Sequence, residues 1–548
     1  MRNDRLKSAV RWHMFGAAAA AALLNAVPAT ASATALLSTH VPRAVARHLV
    51  PIVSEPDPAL HLQFEVALPM RNQDARDALL HAIYDPASPQ YRHYLSVAEF
   101  TRRFGPSAHD YTTAVSYFQS SGLSVTALSA NRYIIELDGS IAAIEKVFHV
   151  KLRYYRHPTE QRNFIAPDRE PTLDLAVPVL HVTGLDDFDL PHPRLAAPTA
   201  FSPKAGTGSG PGGNFIGSDM RAAYYGGTAL TGAGQSVGLM ELEGYIPSDI
   251  PLYFQKVKQP LNVAVNGIST DGTPIDCKKC NDGEQTLDID YAISMAPGLD
   301  QVQVYVAHHP VSVLNRMVSD DVSEQLSTSW GWAGQKGDFT VEDPIYKEMA
   351  VQGQTFLTAS GDASTLKASD PWPEEDANLT AVGGSDLVTN GAAGTYKTET
   401  GWKDSAGGPS LDKSILIPPY QVPFINAQNM GSHTLRNVPD VAANANFNMY
   451  ICFNGKCQGG WGGTSFSSPM WAGYIALANE QAAARGKPVV GFVAKTLYDL
   501  SKKTAKYKSI FHDVIGGKSG KYTAVEGYDL VTGLGSPNGQ AMIDALTK

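Results

Sequence analysis

The sequence has no long run of basic residues, and this limits its possible partners. Its 548 residues include 44 basic and 53 acidic side chains, so the formal net charge is −9. Nothing in that balance points to nucleic acid or to an anionic membrane surface. No apolar stretch after the N-terminal region reads as a membrane helix, so we expect a soluble mature chain without a membrane partner. At about 150 residues per domain, the length allows two to four domains.

Cysteine is also scarce. The four cysteines form two close pairs, Cys277 with Cys280 and Cys452 with Cys457. In an oxidising compartment this spacing favours two local disulfides, although the sequence alone allows three pairings. A four-cysteine zinc site is the alternative, which the C-x2-C pair suits and the C-x4-C pair suits less. A redox Cys-x-x-Cys is disfavoured because no thioredoxin-like context surrounds it.

Residues 1–33 have the three parts of a secretory signal peptide. A basic start is followed by an apolar run from Met14 to Val27 and by the small residues Ala31-Ser32-Ala33. We therefore predict cleavage after Ala33 and a secreted, extracellular protein, with the periplasm as an alternative destination. An uncleaved membrane anchor is a further alternative, although the apolar run is short for a bilayer span.

Three regions of different character follow the signal. Residues 34–190 predict a small α+β domain, because strand-like alternation at 60–68 precedes an amphipathic helix at 74–83, and this order recurs further on. Residues 191–213 are rich in proline, glycine, serine and alanine, which predicts an exposed linker open to cleavage. Residues 214–548 alternate strands and helices, which predicts a parallel sheet flanked by helices.

Histidine is unevenly distributed between these regions. Eleven of the fifteen histidines lie before residue 200. We expect most of them on solvated surface, yet histidine changes its charge in mild acid. Acidification is therefore a candidate signal for release of the N-terminal domain.

A candidate nucleophile lies in Gly462-Gly463-Thr464-Ser465, just before an apolar helix predicted from Met470 to Ala478. Glycines let another chain approach closely, and the start of a helix offers unpaired N–H groups and the positive end of its dipole. The pattern therefore favours a displayed, reactive serine. An ordinary Gly-Thr-Ser turn is the alternative.

Three acidic residues are candidates to act with this serine. Glu284 and Asp288 are four apart on a predicted helix, so they share one face, where two like charges cost stability unless they share a proton or serve a function. Asp362 ends a predicted strand, where α/β sheets place their chemistry. It could instead cap a turn, and Asp290, elsewhere on the same helix, is expected to be structural.

Two tryptophans lie at the end of another predicted strand, at 324–330. Trp330 and Trp332 could line a substrate groove. Aromatic residues at a strand end more often belong to the core, so we expect them there.

Four residues, taken in chain order, resemble the catalytic set of the sedolisins, the serine-carboxyl peptidases that include the kumamolisins. They are Glu284 with Asp288, Asp362 in Ser-Gly-Asp and Ser465 in Gly-Gly-Thr-Ser. The resemblance extends over nearly the whole chain after the signal peptide, and Leu60 to Tyr155 is similar to the family's activation prodomain. Further matching segments are Asp85–Leu95, Phe104–Pro106, Ser329–Gly331, Thr380–Gly384, Pro439–Ala443, Gly527–Asp529 and Thr532–Pro537. Ser364 is a departure, since the family often has glycine there.

The resemblance implies a subtilisin-like catalytic domain behind a ferredoxin-like prodomain, and it implies roles. Glu284 would take the proton of the Ser465 hydroxyl, and Asp288 would hold Glu284 by a carboxyl–carboxylate hydrogen bond. Asp362 would donate to the oxyanion, so it must be protonated when the tetrahedral intermediate forms. Because an ordinary aspartate titrates near ~3.9, we predict an acid-active endopeptidase that works through an acyl-enzyme.

The resemblance also implies partners and a metal. Residues about 34 to 200 would inhibit and chaperone the peptidase until self-cleavage in the linker, its substrates would be proteins or peptides, and we expect a monomer. One structural calcium ion, Ca²⁺, would be held by oxygen ligands. These are the carboxylates of Asp513 and Asp529 and the backbone carbonyls of Val514, Val525 and Gly527. Two aspartates in ordinary turns are the alternative.

Two rival functions remain open at this point. A subtilisin-like protease shares the Gly-Thr-Ser context but needs a histidine as its base. After residue 200 only four histidines remain, none in the His-Gly context expected of that base: His308, His309, His433 and His512. The other rival is a catalytically silent relative that acts as a binding protein, since intact motifs do not prove turnover.

Overall fold

The computed structural model describes residues 34–35, 39–197, 207–278, 280–332, 336–367 and 372–548. The predicted signal peptide, residues 1–33, lies outside the described residues, and so does the centre of the predicted linker. The described chain forms an N-terminal α+β region and a larger α/β region, as the sequence predicts.

The N-terminal region is built on a four-stranded antiparallel sheet. Its strands lie in the order Ser124–Leu128, Ile134–Ser140, His61–Ala67 and His181–Thr183. Numbered along the chain this is the order 2-3-1-4, which is that of the predicted ferredoxin-like fold. The helices are Arg43–Ala46, Gln73–Ile83, Val97–Arg103, Ala108–Ser120 and Ile141–Phe148. Smaller antiparallel sheets join Ile52–Ser54, Leu152–Arg156 and Asn163–Pro167, and join Thr34–Ala35 to Thr172–Leu173.

The helix Ile141–Phe148 illustrates why these elements form. Ser140 accepts a hydrogen bond from the Ala143 N–H at 3.3 Å and so caps the start of the helix. Ile141, Ile144 and Phe148 recur every three or four residues and are buried in the core of the N-terminal region. The cap and the apolar stripe together fix both the start of the helix and the face that packs.

The larger region contains a central eight-stranded sheet. Six strands are parallel neighbours, in the order Ala264–Ser269, Gln301–Val306, Ser236–Glu241, Gln325–Thr328, Thr355–Ala359 and Thr380–Thr389. Beside the last of them lie Tyr396–Gly401, which is antiparallel to it, and Val441–Asn444, which is parallel. Ser236–Glu241 is buried at every position, as expected for a parallel strand covered on both faces. The predicted mostly parallel sheet is confirmed.

Helices flank this sheet. They are Gly217–Tyr224, Asp249–Val257, Gly283–Met295, Pro310–Asp320, Lys336–Gln352, Ser467–Ala484, Val493–Ser501, Thr504–Ile510 and Gly539–Leu546, with single turns at Pro211–Gly213, Val422–Phe424 and Thr464–Phe466. Short ribbons pair His192–Pro193 with Trp330–Gly331, Gly408–Pro409 with Asn437–Val438, Met449–Phe453 with Lys456–Trp461, Phe511–His512 with Ser536–Pro537, and Lys518–Ser519 with Tyr522–Thr523.

Two buried helices carry candidate residues. Gly283–Met295 is buried at every position and packs against Ser467–Ala484, which is buried along most of its length. Neither helix presents a polar face to solvent over this length. Their acidic and hydroxyl side chains must therefore find partners inside the protein or bear the cost of burial.

The two regions meet along the helix Lys336–Gln352. Tyr84 Oη donates a hydrogen bond to the Ala350 carbonyl oxygen at 2.7 Å, and Tyr133 Oη donates to that of Val341 at 2.9 Å. Both tyrosines are buried, so the N-terminal region is docked through its core rather than only through its surface.

The cysteines are paired locally. Disulfides join Cys277 to Cys280 and Cys452 to Cys457, which confirms the predicted pairing. All four sulfurs are thereby used, so the alternative zinc site has no thiolate ligands. Within the described ranges, no helix is both long and apolar enough to cross a membrane.

Candidate active site

Ser465 lies in the single turn Thr464–Phe466, which leads directly into the helix Ser467–Ala484. Gly463 precedes it with a φ of 130°, a conformation that favours glycine. A Cβ placed on Gly463 would lie 2.7 Å from both the Arg194 carbonyl oxygen and Asp362 Oδ2. Glycine therefore lets a peptide segment pass close to the serine.

Glu284 adjoins Ser465 from the helix Gly283–Met295. Burial raises the pKa of Glu284 well above its usual range, and the Ser465 hydroxyl acts in the opposite direction. Among the described residues, the Ser465 Oγ and both Glu284 carboxyl oxygens make no hydrogen bond of normal geometry. A loose contact between a serine and its base is common before a substrate is bound, so the geometry permits proton transfer from Ser465 to Glu284.

Asp288 is held by a hydrogen bond from Ser329. The Ser329 hydroxyl donates to Asp288 Oδ1 at 2.7 Å. Burial raises the pKa of Asp288, and negative charge on Glu241 and Glu284 raises it further. Ser329 and Glu241 contact the Asp288 carboxyl, and Glu284 acts on it through charge. The predicted hydrogen bond between Asp288 and Glu284 stays a prediction.

Glu241 belongs to this cluster and was not predicted. It ends the strand Ser236–Glu241, is fully buried and accepts a hydrogen bond from Trp330 Nε1 at 2.8 Å. Burial raises the pKa of Glu241, against the hydrogen bonds from Trp330 and Asp288. The signal that could have found it is an acidic residue at the carboxyl end of an otherwise uncharged, buried parallel strand. Trp330 is in the core, as expected, but its N–H ties the core to the carboxyl cluster.

Asp362 follows the strand Thr355–Ala359 and faces the Ser465 turn. Its Oδ1 accepts hydrogen bonds from Thr464 N at 2.8 Å and from Thr464 Oγ1 at 2.9 Å. Its Oδ2 is buried and has no partner among the described residues. Burial raises the pKa of Asp362 to about 7, although the Thr464 hydrogen bonds lower it. A protonated Oδ2 would point its hydrogen into the space beside Ser465.

Residues 191–197, the first part of the predicted linker, lie beside the cluster of Ser465 and its carboxyl groups. His192–Pro193 is antiparallel to Trp330–Gly331, and Ala196 bridges to Gly462. His192, Pro193 and Ala197 of the predicted linker are exposed, whereas Arg194 is buried. A proline- and alanine-rich segment has no core of its own, but main-chain hydrogen bonds to Trp330–Gly331 and Gly462 order it. Residues 192–196 thus lie in extended form in the groove between Trp330–Gly331 and Gly462.

The histidines of the larger region lie away from Ser465. His309 lies 4.0 Å from Glu65 at the interface with the N-terminal region, and His308 lies beside it. The His512 ring stacks on Tyr396 with centroids 3.6 Å apart, and His433 is exposed. None of the four contacts Ser465 in the part of the chain that is described, and this disfavours the subtilisin-like mechanism.

The predicted calcium ligands also converge on one loop. Gly527 N–H donates to Asp513 Oδ1 at 3.1 Å, and Val525 N–H donates to Asp529 Oδ2 at 3.2 Å. The carbonyl oxygens of Val514, Val525 and Gly527 accept no backbone hydrogen bond from the described residues. Burial raises the pKa of Asp529 to about 7, and it also raises that of Asp513. The half-buried carboxyl of Asp513, the buried carboxyl of Asp529 and the three carbonyls form an all-oxygen set, which fits calcium.

The fold and the cluster together define a class of enzyme before any comparison is made. A serine at the start of a buried helix, carboxyl groups on two sides of it and a parallel α/β sheet are the parts of a serine peptidase in which carboxyl groups replace histidine. The N-terminal region places a segment of its own chain in the groove, which is the arrangement of an inactive precursor.

Comparison with known proteins agrees with this class. The family model "Pro-kumamolisin, activation domain" matches residues 36–188. Kumamolisin from Bacillus sp. strain MN-32 is 27% identical over 541 residues, which cover 88% of this chain and 92% of that protein. Sedolisin from Pseudomonas sp. strain 101 is 28% identical over 517 residues, which cover 86% of this chain and 84% of that protein. The solved structure of Pseudomonas sedolisin in complex with pseudo-iodotyrostatin has a TM-score of 0.53 and 26% identity, and it covers 60% of this chain and 96% of its own.

Most of the chain is similar to the sedolisins, which are serine-carboxyl peptidases, and residues 36–188 match a kumamolisin-type activation domain. The match to the activation-domain model lies inside the predicted prodomain, residues 34–190, and the structural match has the length of a catalytic domain. The protein is therefore the zymogen of a serine-carboxyl peptidase.

Proposed function

We propose that the protein is a secreted, acid-active endopeptidase that cleaves proteins or peptides through an acyl-enzyme on Ser465. The main support is the position of Ser465 between two buried carboxyl groups. Glu284 adjoins the Ser465 hydroxyl, and Asp362 has an oxygen without a partner among the described residues. Endopeptidase action is supported by the bound segment 192–196, because the chain continues on both sides of it. Secretion rests on the signal-like sequence of residues 1–33.

In the first half of the reaction, the Ser465 oxygen bonds to the substrate carbonyl carbon while its proton passes to Glu284. The carbonyl oxygen takes up negative charge, and the protonated Asp362 Oδ2 donates a hydrogen bond to it. The carbon–nitrogen bond then breaks, and the proton on Glu284 passes to the departing amine. The product of this half is an ester between Ser465 and the acyl part of the substrate.

In the second half, water attacks the ester while Glu284 takes its proton, and Ser465 recovers a proton as the carboxylic acid product leaves. Asp288 and Glu241 do not touch the reacting atoms. Because they lie close to Glu284, the three carboxyls of Glu241, Glu284 and Asp288 titrate as a unit. When the shared proton is on Asp288 or Glu241, Glu284 is ionised and can act as the base. They are positioning residues for Glu284.

The zymogen state follows from what fills the groove. As long as residues 192–196 occupy it, a second peptide has no access to Ser465. We propose that acid protonates Asp362 and so permits cleavage of this bound segment, after which the N-terminal region dissociates. Activation is then the first turnover of the enzyme on itself.

The test is an acid step applied to the precursor from Thr34 onward. The precursor is moved from neutral pH to about pH 4, and its mass, N-terminal sequence and peptidase activity are followed over time. We expect loss of the N-terminal region up to the segment 191–213 and the simultaneous appearance of activity. Activity is expected below about pH 7 and is lost as the pH rises through the pKa of Asp362.

An intact and inactive precursor at every pH would contradict self-activation. A second arm adds a trace of enzyme already activated by a commercial protease. If this arm yields activity, another protease starts activation in nature. If it also yields none, the catalytic proposal is wrong and the silent-relative alternative is favoured.

We also propose that Asp513 and Asp529, with the carbonyls of Val514, Val525 and Gly527, hold one structural calcium ion. The ion would supply positive charge between the half-buried Asp513 and the buried Asp529, whose pKa values are raised by burial. It would join the loop 525–527 to Asp513 and take no part in the reaction.

Removal of this ion is expected to lower the melting temperature of the activated enzyme by about 5–10 °C, as a ligand near 100 times its dissociation constant stabilises by about 2.7 kcal/mol. The measurement is a thermal melt in EGTA and again after calcium is restored. Asp513→Asn should start from the lower melting temperature and respond to neither treatment. An unchanged melt of the unmodified enzyme in EGTA would show that the two aspartates are ordinary turn residues.

A further inference from the structure

The Arg194 side chain fills a pocket beside Asp362. Its guanidinium donates hydrogen bonds to the Ala359 carbonyl oxygen at 3.2 Å and to that of Trp372 at 3.2 Å. Nη2 also donates to Glu374 Oε2 at 2.8 Å, an ion pair in which both side chains are almost fully buried. A planar guanidinium reaches several acceptors at once, so this donor arrangement matches arginine better than lysine.

The pocket is shaped for a long side chain by Gly361. Its φ is 100°, and a Cβ there would lie 2.6 Å from Arg194 Nη1. Any other residue at this position would be strained and would intrude on the guanidinium. Glu374 lies at the guanidinium end of the pocket, so the pocket is negatively charged there.

The main chain around Arg194 is anchored on both sides. Arg194 N–H donates to the Ser329 carbonyl oxygen at 3.0 Å, and His192–Pro193 continues as a strand along Trp330–Gly331. Two residues later, Ala196 N–H donates to the Gly462 carbonyl oxygen at 2.9 Å. The peptide bond between Arg194 and Leu195 lies between these two anchor points.

The groups around that bond are those of the candidate site. The Arg194 carbonyl oxygen and Asp362 Oδ2 both lie 2.7 Å from the point where a Gly463 Cβ would be, so they face the same small space. Leu195 Cδ2 lies 3.0 Å from the corresponding point on Gly283, the residue before Glu284. The carbonyl of Arg194 is thus presented where the oxyanion would form.

We propose that Arg194–Leu195 is the first bond that the chain cleaves, and that the pocket closed by Glu374 selects arginine as the residue on the acyl side of the cleaved bond in other substrates. This rests on the proposed function. The Ser465 oxygen bonds to the Arg194 carbonyl carbon, and its proton is relayed by Glu284 to the Leu195 nitrogen as the carbon–nitrogen bond breaks. Water then releases Arg194 as a new carboxyl terminus.

The first measurement maps the earliest cleavage in the unmodified precursor. Samples are quenched within the first few per cent of conversion after the acid step and analysed by intact mass. The expected new N-terminus is Leu195. An earliest cut elsewhere in 191–213 would overturn the assignment of this bond even if the precursor activates normally.

The second measurement compares two fluorogenic peptides that differ only in arginine or norleucine on the acyl side of the cleaved bond. The activated enzyme is expected to prefer arginine by about 10- to 100-fold in kcat/KM, since charge-assisted hydrogen bonds of this kind are lost with norleucine. Glu374→Gln should remove most of the preference by slowing the arginine peptide far more than the norleucine peptide. Glu375→Gln is the matched control: Glu375 is equally buried but accepts hydrogen bonds from Ser410 and Leu411, and its variant should keep the preference.

The outcomes separate the two proposals. Cleavage of both peptides at equal rates by the unmodified enzyme would refute the arginine preference without contradicting the peptidase function. Cleavage of neither peptide, together with a stable precursor, would count against the proposed function itself. A Glu374→Gln enzyme that keeps the full preference would show that the ion pair with Glu374 does not determine the selection of arginine.

Discussion

A Ser465→Ala precursor is expected to fold, to keep its N-terminal region after the acid step and to cleave no peptide. Removal of the attacking oxygen leaves only the surrounding groups, so kcat should fall by at least about 10⁴-fold. The variant removes one small polar atom that has no partner among the described residues, and the fold should therefore tolerate it. Mass spectrometry of the precursor and a peptide assay after activation by another protease measure the two losses separately.

Ser468→Ala is the matched control for this variant. Ser468 is also buried, lies three residues further on in the helix Ser467–Ala484 and shares a hydrogen bond with Ser327 at 2.8 Å. Its loss should cost about 1 kcal/mol of folding free energy and leave self-processing intact. If Ser465→Ala still processes itself, the nucleophile lies elsewhere. If both variants fail alike, the loss reflects folding rather than chemistry.

Asp362→Ala is expected to lower kcat by about 10²–10³-fold with little effect on KM, because one oxyanion donor is removed. Asp362→Asn retains a donor in the same place. Its Oδ1 can still accept from Thr464, and its amide can donate at the position now held by the unpartnered Oδ2. The asparagine variant should therefore recover part of the activity lost in the alanine variant.

The pH profile tests the role of Asp362 more directly than the rates do. Burial raises the pKa of Asp362 to about 7, and only the protonated form donates, so wild-type activity should be present below that value and lost above it. An amide donates at any pH, so the alkaline limb of the Asp362→Asn profile should move upward. The profile is measured as kcat on one peptide between pH 3 and pH 9. An asparagine variant with the wild-type profile would refute an oxyanion role for Asp362.

Much of the fold could be predicted from periodicity and turn chemistry. The alternating strand at 60–68 and the amphipathic stretch at 74–83 correspond to His61–Ala67 and Gln73–Ile83. The sequence pattern also predicts a helix at 343–352, whereas the structure has the longer helix Lys336–Gln352. The turns before Asp343 are supported by a tertiary contact, the Phe339 ring stacked on Trp372 with centroids 4.4 Å apart, which no local pattern could show.

The four catalytic residues could be predicted because each is part of a short motif in or beside a strand or helix. In the structure they lie in one cluster. Their roles stay predictions. Glu241 has no such motif and joins the cluster only through the pairing of its strand with Gln325–Thr328. Arg194 was missed for a similar reason: its partners Ala359 and Glu374 are more than 160 residues away in sequence. Sequence spacing reveals local chemistry, whereas these contacts depend on tertiary structure.

Ser364 shows a smaller limit of the resemblance. The family often has glycine there, and the serine has a φ of 65°, in the left-handed region that glycine adopts without strain. Its hydroxyl donates to the Lys403 carbonyl oxygen at 3.1 Å, a contact that glycine could not make. The loop conformation is kept, and a side-chain hydrogen bond offsets part of its cost.

The buried carboxyl cluster of Glu241, Glu284, Asp288 and Asp362 also affects the folding equilibrium. Each of these groups has a raised pKa in the folded chain, so together they keep protons that the unfolded chain would release above about pH 4. Their contribution to stability is complete below that pH and is lost as the pH rises through the folded values. Folding therefore takes up protons, and hydrogen ion acts on this protein as a stabilising ligand whose concentration the surroundings set.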